Sequence, residues 1–354
     1  MALVVLIALG AVALWLISNQ MGPGGLLPAL VMASLPVPLY VGLALWVDRY
    51  EPEPPIMLLG AFLLGASVAA IVSYWLNSAN TLWFYSGHGD LDIADDLGTI
   101  FSAPFVEEVS KAVCLWLLFF YRRKDFDGVV DGVIYATMIA LGFAMTENIQ
   151  YYGQALKEGG SAGATQTFLL RGILSPYAHP LFTSMTGIGL GWACENERKG
   201  FSWLAPLGGL GLAILLHGAW NLTAAIHAKL WLLTYALFML PCAVGVIVVL
   251  RCALEREGAW LRRYLKKEMP GPELDRVSSI RGRVAYSLRN LLRQGPRGWY
   301  HSEQYLQVAS QLAFLRRRVE ERGHDPQPTL DAQLKQQMHQ LKAGLDRQWA
   351  RPRE

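Results

Sequence analysis

The feature that most constrains this chain is a series of eight apolar runs, each close to the length that crosses a bilayer. A helix needs about 20 apolar residues to span roughly 30 Å of hydrocarbon. In lipid, every backbone N–H and C=O group must be hydrogen-bonded within the protein, which only helices and closed barrels achieve. Because 53% of the 354 residues are hydrophobic, we predict an all-α polytopic membrane protein with about eight transmembrane helices. The runs lie near residues 2–18, 27–47, 56–76, 99–120, 128–150, 171–193, 202–225 and 230–250.

The balance of charge changes near residue 250. Residues 1–250 carry 10 Lys and Arg against 16 Asp and Glu, whereas residues 251–354 carry 21 against 12. We therefore predict a transmembrane domain over 1–250 and a basic, helical cytoplasmic tail over 251–354. The tail lacks any known motif for reading nucleic acid, so anionic lipid headgroups or a cytoplasmic protein are its expected partners. Its predicted amphipathic helices lie near 251–268, 272–294, 299–323 and 329–348.

Loop charges predict the orientation of the spans. Basic residues at 122–124, at 198–199 and in the tail fall on one side if the spans alternate, and this side is expected to be the cytoplasm. The loop at 77–98 has four aspartates and no Lys or Arg, so it is predicted to lie outside. An even number of spans places both termini in the cytoplasm of a multi-pass protein of the cell inner (plasma) membrane.

Four of the apolar runs contain polar motifs that membrane spans normally exclude. A charge at the bilayer centre costs about 2.5–3.5 kcal/mol on insertion scales, so such groups usually have a function. Each motif contains a pair of residues three or four positions apart, which lie on one helix face. The motifs are Glu107-Glu108-x-x-Lys111, Phe143-x-x-x-Glu147-Asn148, His179-Pro-Leu-Phe-Thr183 and His217-x-x-x-Asn221.

The motifs are also expected to lie at similar depth. Counted from the outer end of each span, Glu107, His179 and His217 lie about 12–14 Å deep and Glu147 about 5–9 Å deep, at 1.5 Å per residue. Four helices therefore bring these groups to one level, which predicts a single site in the outer half of the bilayer.

Groups of these types can activate water. One carboxylate can act as a general base while its neighbour stays protonated or pairs with Lys111. A histidine and an asparagine can stabilise an oxyanion. Glutamate and histidine also bind zinc, and a metal would support the same hydrolysis. The sequence has no HExxH motif and leaves both mechanisms open.

Two other classes of function are compatible with these residues. A proton- or ion-coupled membrane carrier also uses intramembrane acids and histidines, but carriers usually contain internal repeats and this sequence has no visible repeat. A non-catalytic membrane scaffold would tolerate Glu107→Gln without loss of function.

The motifs resemble those of the PrsW family of intramembrane proteases, in the clan of CAAX prenyl proteases and bacteriocin-processing enzymes. The resemblance covers roughly residues 30–225. Lys111 stands one residue earlier than the usual arginine of the clan, and Glu147 stands where the clan has histidine; both fit PrsW better than prenyl-protein processing. The matching segments are DRYEPEP (48–54), EEVSK (107–111), FAMTEN (143–148), HPLFT (179–183) and HGAWN (217–221).

The resemblance implies an intramembrane endopeptidase that cuts single-pass membrane proteins, with site-1 cleavage of an anti-sigma factor as the bacterial example. It implies that Glu107 is the general base. Supporting acids or metal ligands would be Glu108 and Glu147. The groups that stabilise the oxyanion or bind a metal would be His179, His217 and Asn221.

Two further polar residues, Lys111 and Asn148, are expected to support the site. If the protein holds zinc, the expected ligands are Glu108, Glu147, His179 and His217.

Overall fold

In the computed structural model, the described part of the chain is helical and contains no strand. The prediction of an all-α polytopic membrane protein with a helical tail is therefore confirmed. The predicted basic loops at 122–124 and 198–199 lie outside the described residues, so the orientation of the spans stays a prediction. The structure describes residues 1–22, 24–121, 126, 128–196, 200–226, 235–322 and 328–349.

Five stretches of the described chain are long and apolar enough to cross a membrane. The first predicted run forms an apolar helix of only 17 residues, and the fourth forms a 19-residue helix with three charged side chains. The fifth and sixth runs lie in two helices within the stretch Val129–Glu195, separated by a turn at 175–177. The helix of the third run continues to His88, so most of the predicted loop at 77–98 is helical. The number eight therefore stays a prediction. The five stretches are Leu26–Val47, Pro55–His88, Val129–Glu195, Leu204–Thr223 and Ala236–Leu265.

The chain divides into two compact units, and the first comprises Met1–Val47 and Glu53–Val248. We call it the membrane unit. Its helices in chain order are α1 (Ala2–Ser18), α2 (Leu26–Ser34), α3 (Val37–Val47), α4 (Pro55–Leu64), α5 (Ala70–His88), α6 (Leu91–Leu97), α7 (Ala103–Tyr121), α8 (Val129–Phe168), α9 (Ala178–Glu195), α10 (Leu204–Ile226) and the first part of α11 (Leu240–Leu265).

Short π-helical segments lead into two of the helices that carry polar motifs. Gly98–Ser102 runs directly into α7, and Leu169–Leu174 joins α8 to the start of α9. Such segments interrupt the regular helical register and are frequent at functional sites.

Helix α8 lies at the centre of the membrane unit and touches its neighbours through glycines. A Cβ atom at Gly132 would lie 2.0 Å from the carbonyl oxygen of Gly187, and one at Gly142 would lie 1.9 Å from that of Phe62. Only glycine permits such close backbone approach, as is common where helices pack in membranes. These contacts fix the position of α8 against α9 and α4, and hence of the polar motifs on α8 and α9.

The outer surface of the membrane unit is rich in large apolar side chains. Trp15, Leu39, Leu82, Phe105 and Leu215 are all exposed. A soluble protein rarely exposes so much apolar surface, whereas hydrocarbon is a suitable solvent for it.

The second unit, which we call the tail unit, comprises Asp48–Pro52 and Val249–Glu354. It contains the last part of α11 and three further helices. Gly295 (φ 69°) breaks the second of these, at the Gly-Pro pair where the sequence predicts an interruption. The helices are α12 (Gly271–Val277), α13 (Ile280–Arg322) and α14 (Pro328–Trp349).

One buried arginine holds the Asp48–Pro52 segment within the tail unit. Arg283 donates hydrogen bonds to the carbonyl oxygens of Arg49 (3.0 Å), Leu306 (3.1 Å) and Val277 (3.3 Å), and to the hydroxyl of Ser310 (2.8 Å). Its guanidinium also lies over the ring of Tyr50. The segment is thus fixed by residues more than 200 positions away in the sequence.

Candidate active site

The predicted motifs of α7, α8, α9 and α10 meet at one buried cluster. The ammonium of Lys111 lies 2.8 Å from Oε1 of Glu108 and 3.0 Å from Nδ1 of His179. Nε2 of His179 lies 2.8 Å from Oε2 of Glu147, and Nδ1 of His217 lies 3.1 Å from Oε1 of Glu108. The sequence thus identified groups that share one site, although their catalytic roles stay predictions.

Glu108 is the most completely bonded carboxylate of the cluster. Its Oε1 accepts from Lys111 and faces Nδ1 of His217, and its Oε2 accepts a 2.8 Å hydrogen bond from the hydroxyl of Thr183. The side chain is inaccessible to solvent. A carboxylate that receives hydrogen bonds on both oxygens is well suited to fix its neighbours and has little capacity left to accept a proton.

Glu107, the adjacent acid, is bonded much less. Its Oε2 accepts no hydrogen bond from the described residues and lies 3.7 Å from the ammonium of Lys111. Its Oε1 faces the amide nitrogen of Asn77 at 3.4 Å. Buried polar atoms nearly always have partners, so this oxygen is unusual, as is Oδ1 of Asn77, which also lacks a partner among the described residues.

The partners of the two histidines determine where their ring protons lie. Lys111 can only donate, so Nδ1 of His179 accepts, and its Nε2–H donates to Glu147. Glu108 accepts, so Nδ1–H of His217 donates to it and Nε2 of His217 carries the lone pair. That nitrogen faces Oε2 of Glu107 at 3.9 Å. Two acceptor atoms at this distance can be bridged by a water that donates one hydrogen bond to each.

The charges of the cluster do not balance. Three carboxylates (Glu107, Glu108 and Glu147) face two cations, Lys111 and Arg171. With both histidines neutral, one negative charge is left over. We assign this negative charge to Glu107, because the other two carboxylates each contact a cation at 2.8 Å or less.

Arg171 is a member of the cluster that the sequence did not predict. Its guanidinium donates to Oε2 of Glu147 at 2.5 Å and to Oδ1 of Asn148 at 2.7 Å, and lies 3.8 Å from the ring centre of Tyr151. It comes from the π-helical segment before α9. The available signal was a lone arginine in an apolar run, which is as costly in a membrane as the acids of α7.

The two predicted supporting asparagines lie near the cluster but have separate partners. Asn148 accepts from Arg171 as described. The amide nitrogen of Asn221 donates to the backbone carbonyl of Thr99 at 2.9 Å, which ties α10 to the π-helical segment before α7. This hydrogen bond uses one of the two amide protons of Asn221, and the second remains as a donor.

Aromatic rings close off one side of the cluster. The ring of Phe182 stacks on His217 with centroids 5.1 Å apart, and the ammonium of Lys111 lies 4.0 Å from the ring centre of Phe143. Apolar walls lower the local dielectric constant and strengthen the electrostatic interactions inside.

A cavity of about 300 Å³ reaches the cluster from the side of α1 and α5. Its walls include Tyr74 and Asn77 of α5, together with Glu107, His179 and His217. Glu107, the acid that has an unbonded oxygen, is therefore part of the cavity wall.

A metal ion is compatible with part of this cluster. Glu107, His179 and His217 each offer one ligand atom, and these atoms lie within 4.8 Å of one another. The unbonded Oε2 of Glu107 and the lone pair of His217 fit a cation directly. His179 would have to release Lys111 or Glu147 first. The group differs from the predicted ligand set, because it contains Glu107 in place of Glu108 and Glu147, whose oxygens accept hydrogen bonds within the cluster.

Comparison with known proteins supports the motif assignment. Residues 53–249 match the model of a family described as PrsW family intramembrane metalloprotease. This chain is 29% identical to Protease PrsW of Clostridioides difficile over 236 residues, which covers 65% of this chain and 89% of the relative. It is 27% identical to Protease PrsW of Geobacillus kaustophilus over 195 residues (54% and 77% of the two chains) and 28% identical to that of Bacillus subtilis over 201 residues (54% and 81%).

No solved structure matches this chain. The family model spans more than half of the sequence and contains all four polar motifs. The chain belongs to the PrsW family of intramembrane proteases.

Proposed function

We propose that this protein hydrolyses peptide bonds of membrane proteins with a water activated by Glu107. One observation carries the proposal: Oε2 of Glu107 and Nε2 of His217 are two buried acceptors that face each other at 3.9 Å. A water donating to both is placed for proton transfer to the carboxylate, and its oxygen lone pair is left free to attack a carbonyl. This geometry favours Glu107 over Glu108 as the base.

The remaining groups have distinct tasks in this mechanism. Glu108 holds Lys111, His217 and Thr183 in place. The ammonium of Lys111 supplies a fixed positive charge beside the reacting atoms, where negative charge develops in the tetrahedral transition state. Glu147, oriented by Arg171, holds His179 in the tautomer that presents its Nδ1 to Lys111.

A zinc ion is the alternative source of activation. Glu107, His179 and His217 would hold it, and a zinc ion supplies Lewis-acid polarisation of a carbonyl or of water. Glu108 and Arg171 would then orient these ligands from outside. In either case Glu107 is the group whose loss has the greatest effect.

We propose single-pass membrane proteins as the substrates, among them an anti-sigma factor cleaved at site 1. The membrane-spanning helices and the family support an action on membrane proteins. The acidic segment at 77–98 and the basic tail support an active site in the outer half of the bilayer, with both termini in the cytoplasm.

The first experiment compares wild type, Glu107→Gln and Glu195→Gln in proteoliposomes that contain a labelled single-pass substrate. Glu195 is a matched control, because it lies at the end of α9 and accepts a hydrogen bond from the backbone of Val129. We expect cleavage to fall at least 10³-fold in Glu107→Gln, as is typical of the loss of a catalytic group, and to persist in Glu195→Gln. Equal cleavage by all three proteins would refute the proposal, and proton or ion flux without cleavage would establish a carrier.

The role of metal is tested by measuring the zinc content of the purified protein. About one zinc per chain in wild type, lost in His217→Ala, would establish the metal mechanism. A protein that contains no metal and still cleaves in the presence of chelators would establish the mechanism with Glu107 alone.

The orientation is tested separately with reporter fusions at Gly89, in the turn between α5 and α6. An external reporter supports cleavage on the extracytoplasmic side. A cytoplasmic reporter would reverse the proposed orientation without affecting the assignment of Glu107.

A further inference from the structure

The first half of α13 in the tail unit exposes a row of large apolar side chains. Leu292 is 72% exposed, Leu288 50% and Val284 39%. These residues recur at four-residue steps and therefore lie along one face of the helix. The opposite face is buried in the tail unit and carries Arg283, Ser287 and Asn290.

Two exposed aromatic side chains follow the break at Gly295. Trp299 and Tyr300 are about half exposed and directly follow Arg297. Tryptophan and tyrosine are the residues that prefer the level of lipid headgroups, because one end of each ring is apolar and the other polar. We call Val284, Leu288, Leu291, Leu292, Trp299 and Tyr300 the exposed apolar face.

The charge around this face has one sign. Arg281, Arg289, Arg293 and Arg297 are exposed on the same stretch of chain. No Asp or Glu occurs between Asp275 and Glu303. A helix with an apolar face bordered by arginines has the composition of segments that lie in the surface of a bilayer.

The chain connects the tail unit directly to membrane-spanning helices. Helix α11 starts in a stretch that can span the bilayer and continues into the tail unit. The Asp48–Pro52 segment of the tail unit also connects α3 and α4, which both lie in membrane-spanning stretches. The tail unit is therefore attached to membrane-spanning helices at several points of the chain.

We propose that the exposed apolar face of α13 inserts into the surface of a bilayer that contains anionic lipids. The leucines enter the boundary between headgroups and acyl chains, and the arginines bind the lipid phosphates. Lipid is favoured over a protein partner because the apolar row, the aromatic residues and the acid-free arginine border occur together next to a membrane anchor. This inference does not depend on the proposed catalytic mechanism.

The test uses the full-length protein with its four native cysteines replaced and a single nitroxide label at Leu292→Cys. A matched control carries the label at Gln336→Cys, an exposed position on α14. Both are reconstituted in vesicles of phosphatidylcholine with phosphatidylglycerol, and the accessibility of the label to oxygen and to a water-soluble nickel chelate is measured.

We expect the label at position 292 to be reached by oxygen more readily than by the nickel chelate, at a depth of about 5–10 Å. The label at position 336 should show the opposite preference. Equal aqueous accessibility at the two positions overturns the proposal. Protection of position 292 from both reagents also overturns it, because this indicates a protein partner.

The requirement for anionic lipid is tested with the double variant Arg281→Gln/Arg297→Gln. The control is Lys266→Gln/Lys267→Gln, which removes two exposed charges elsewhere in the tail unit. We expect the first pair, and vesicles of phosphatidylcholine alone, to reduce the ratio of oxygen to nickel accessibility at position 292 several-fold. The lysine pair should leave the ratio unchanged. An unchanged ratio in neutral vesicles would refute the requirement for anionic lipid.

Discussion

Lys111 of the membrane unit and Arg283 of the tail unit are both buried cations, and they have different kinds of partners. Lys111 in the membrane unit contacts two carboxylates and a histidine beside a cavity. Arg283 in the tail unit makes its four hydrogen bonds to neutral oxygens. Burial lowers the pKa of Arg283 to about 10, so it remains charged at neutral pH.

The difference separates a reactive site from a structural one. Around Arg283, backbone carbonyl oxygens and one hydroxyl stabilise the charge, and this arrangement supplies no acid or base for a reaction. Around Lys111, full charges are set against one another, and one acid is left with an unbonded oxygen. Substitutions of the two cations should therefore have different effects on stability and on cleavage.

Lys111→Met is expected to have the largest effect on stability. Removal of one partner of a buried ion pair leaves uncompensated carboxylates, which costs about 3–5 kcal/mol. We expect a loss of that size in the free energy of unfolding in nanodiscs, together with loss of cleavage. Lys157→Met, at an exposed position, is the control and should change stability by less than about 0.5 kcal/mol.

The double substitution Lys111→Met/Glu108→Gln tests the cause. Glutamine carries no charge, and its carbonyl oxygen can accept from His217 while its NH2 group donates to the hydroxyl of Thr183, so most of the lost stability should return without activity. If stability did not return, packing rather than charge would explain the effect of the single substitution.

Arg283→Met should destabilise the tail unit by about 2–4 kcal/mol, because several buried carbonyl groups lose a charged donor. Hydrogen exchange should become faster in Asp48–Pro52 and in α13, while cleavage by the membrane unit stays within a few-fold of wild type. Unchanged exchange in Asp48–Pro52 would show that Arg283 does not hold this segment. A loss of cleavage equal to that of Lys111→Met would remove the distinction between the two cations.

Arg171→Gln should lower kcat by about 10–100-fold, the usual cost of removing a group that orients a catalytic residue from outside. Arg171→Lys should recover part of the activity, because lysine keeps the charge but cannot donate in the same fork to Glu147 and Asn148. KM should change little. A rise in KM with unchanged kcat would assign Arg171 to substrate binding.

The smallest effect is expected at the surface of the tail unit. A hydrogen bond from Arg316 lowers the pKa of Asp331 below its usual range. Its contribution to stability is therefore present above pH 4 and is lost as the pH falls through the folded-state pKa. The pair is partly exposed and contributes less than about 1 kcal/mol. Asp331→Asn should remove this part of the acid dependence in thermal unfolding between pH 5 and pH 2, and an identical dependence in both proteins would contradict it.

Local patterns were sufficient to predict the helical class and the members of the cluster. The three- and four-residue spacing of Glu107 with Lys111 and of His217 with Asn221 holds in any helix. Because membrane spans normally exclude charged side chains, a charged residue within an apolar run can be recognised from the sequence alone. For these reasons, the four motifs could be assigned to one site without a structure.

Other features depend on contacts between distant parts of the chain. The role of Arg171 depends on a π-helical segment that brings it next to Glu147, which spacing does not reveal. The contrast between Glu107 and Glu108 comes from hydrogen bonds made by α9 and α10. The inclusion of Asp48–Pro52 in the tail unit depends on Arg283 and Ser278, far away in sequence.

The burial of Glu107 has a consequence for any peptide that reaches it. Its side chain is only 6% exposed in the wall of the cavity, whereas a carbonyl within an α-helix is hydrogen-bonded to the N–H four residues further on and surrounded by side chains that reach a diameter of about 10–12 Å. A helix must therefore unwind locally before one of its carbonyl groups can meet this carboxylate. Selection among substrates would then depend on how easily a membrane helix opens near its end, as glycine or proline there would allow, more than on a fixed series of side chains.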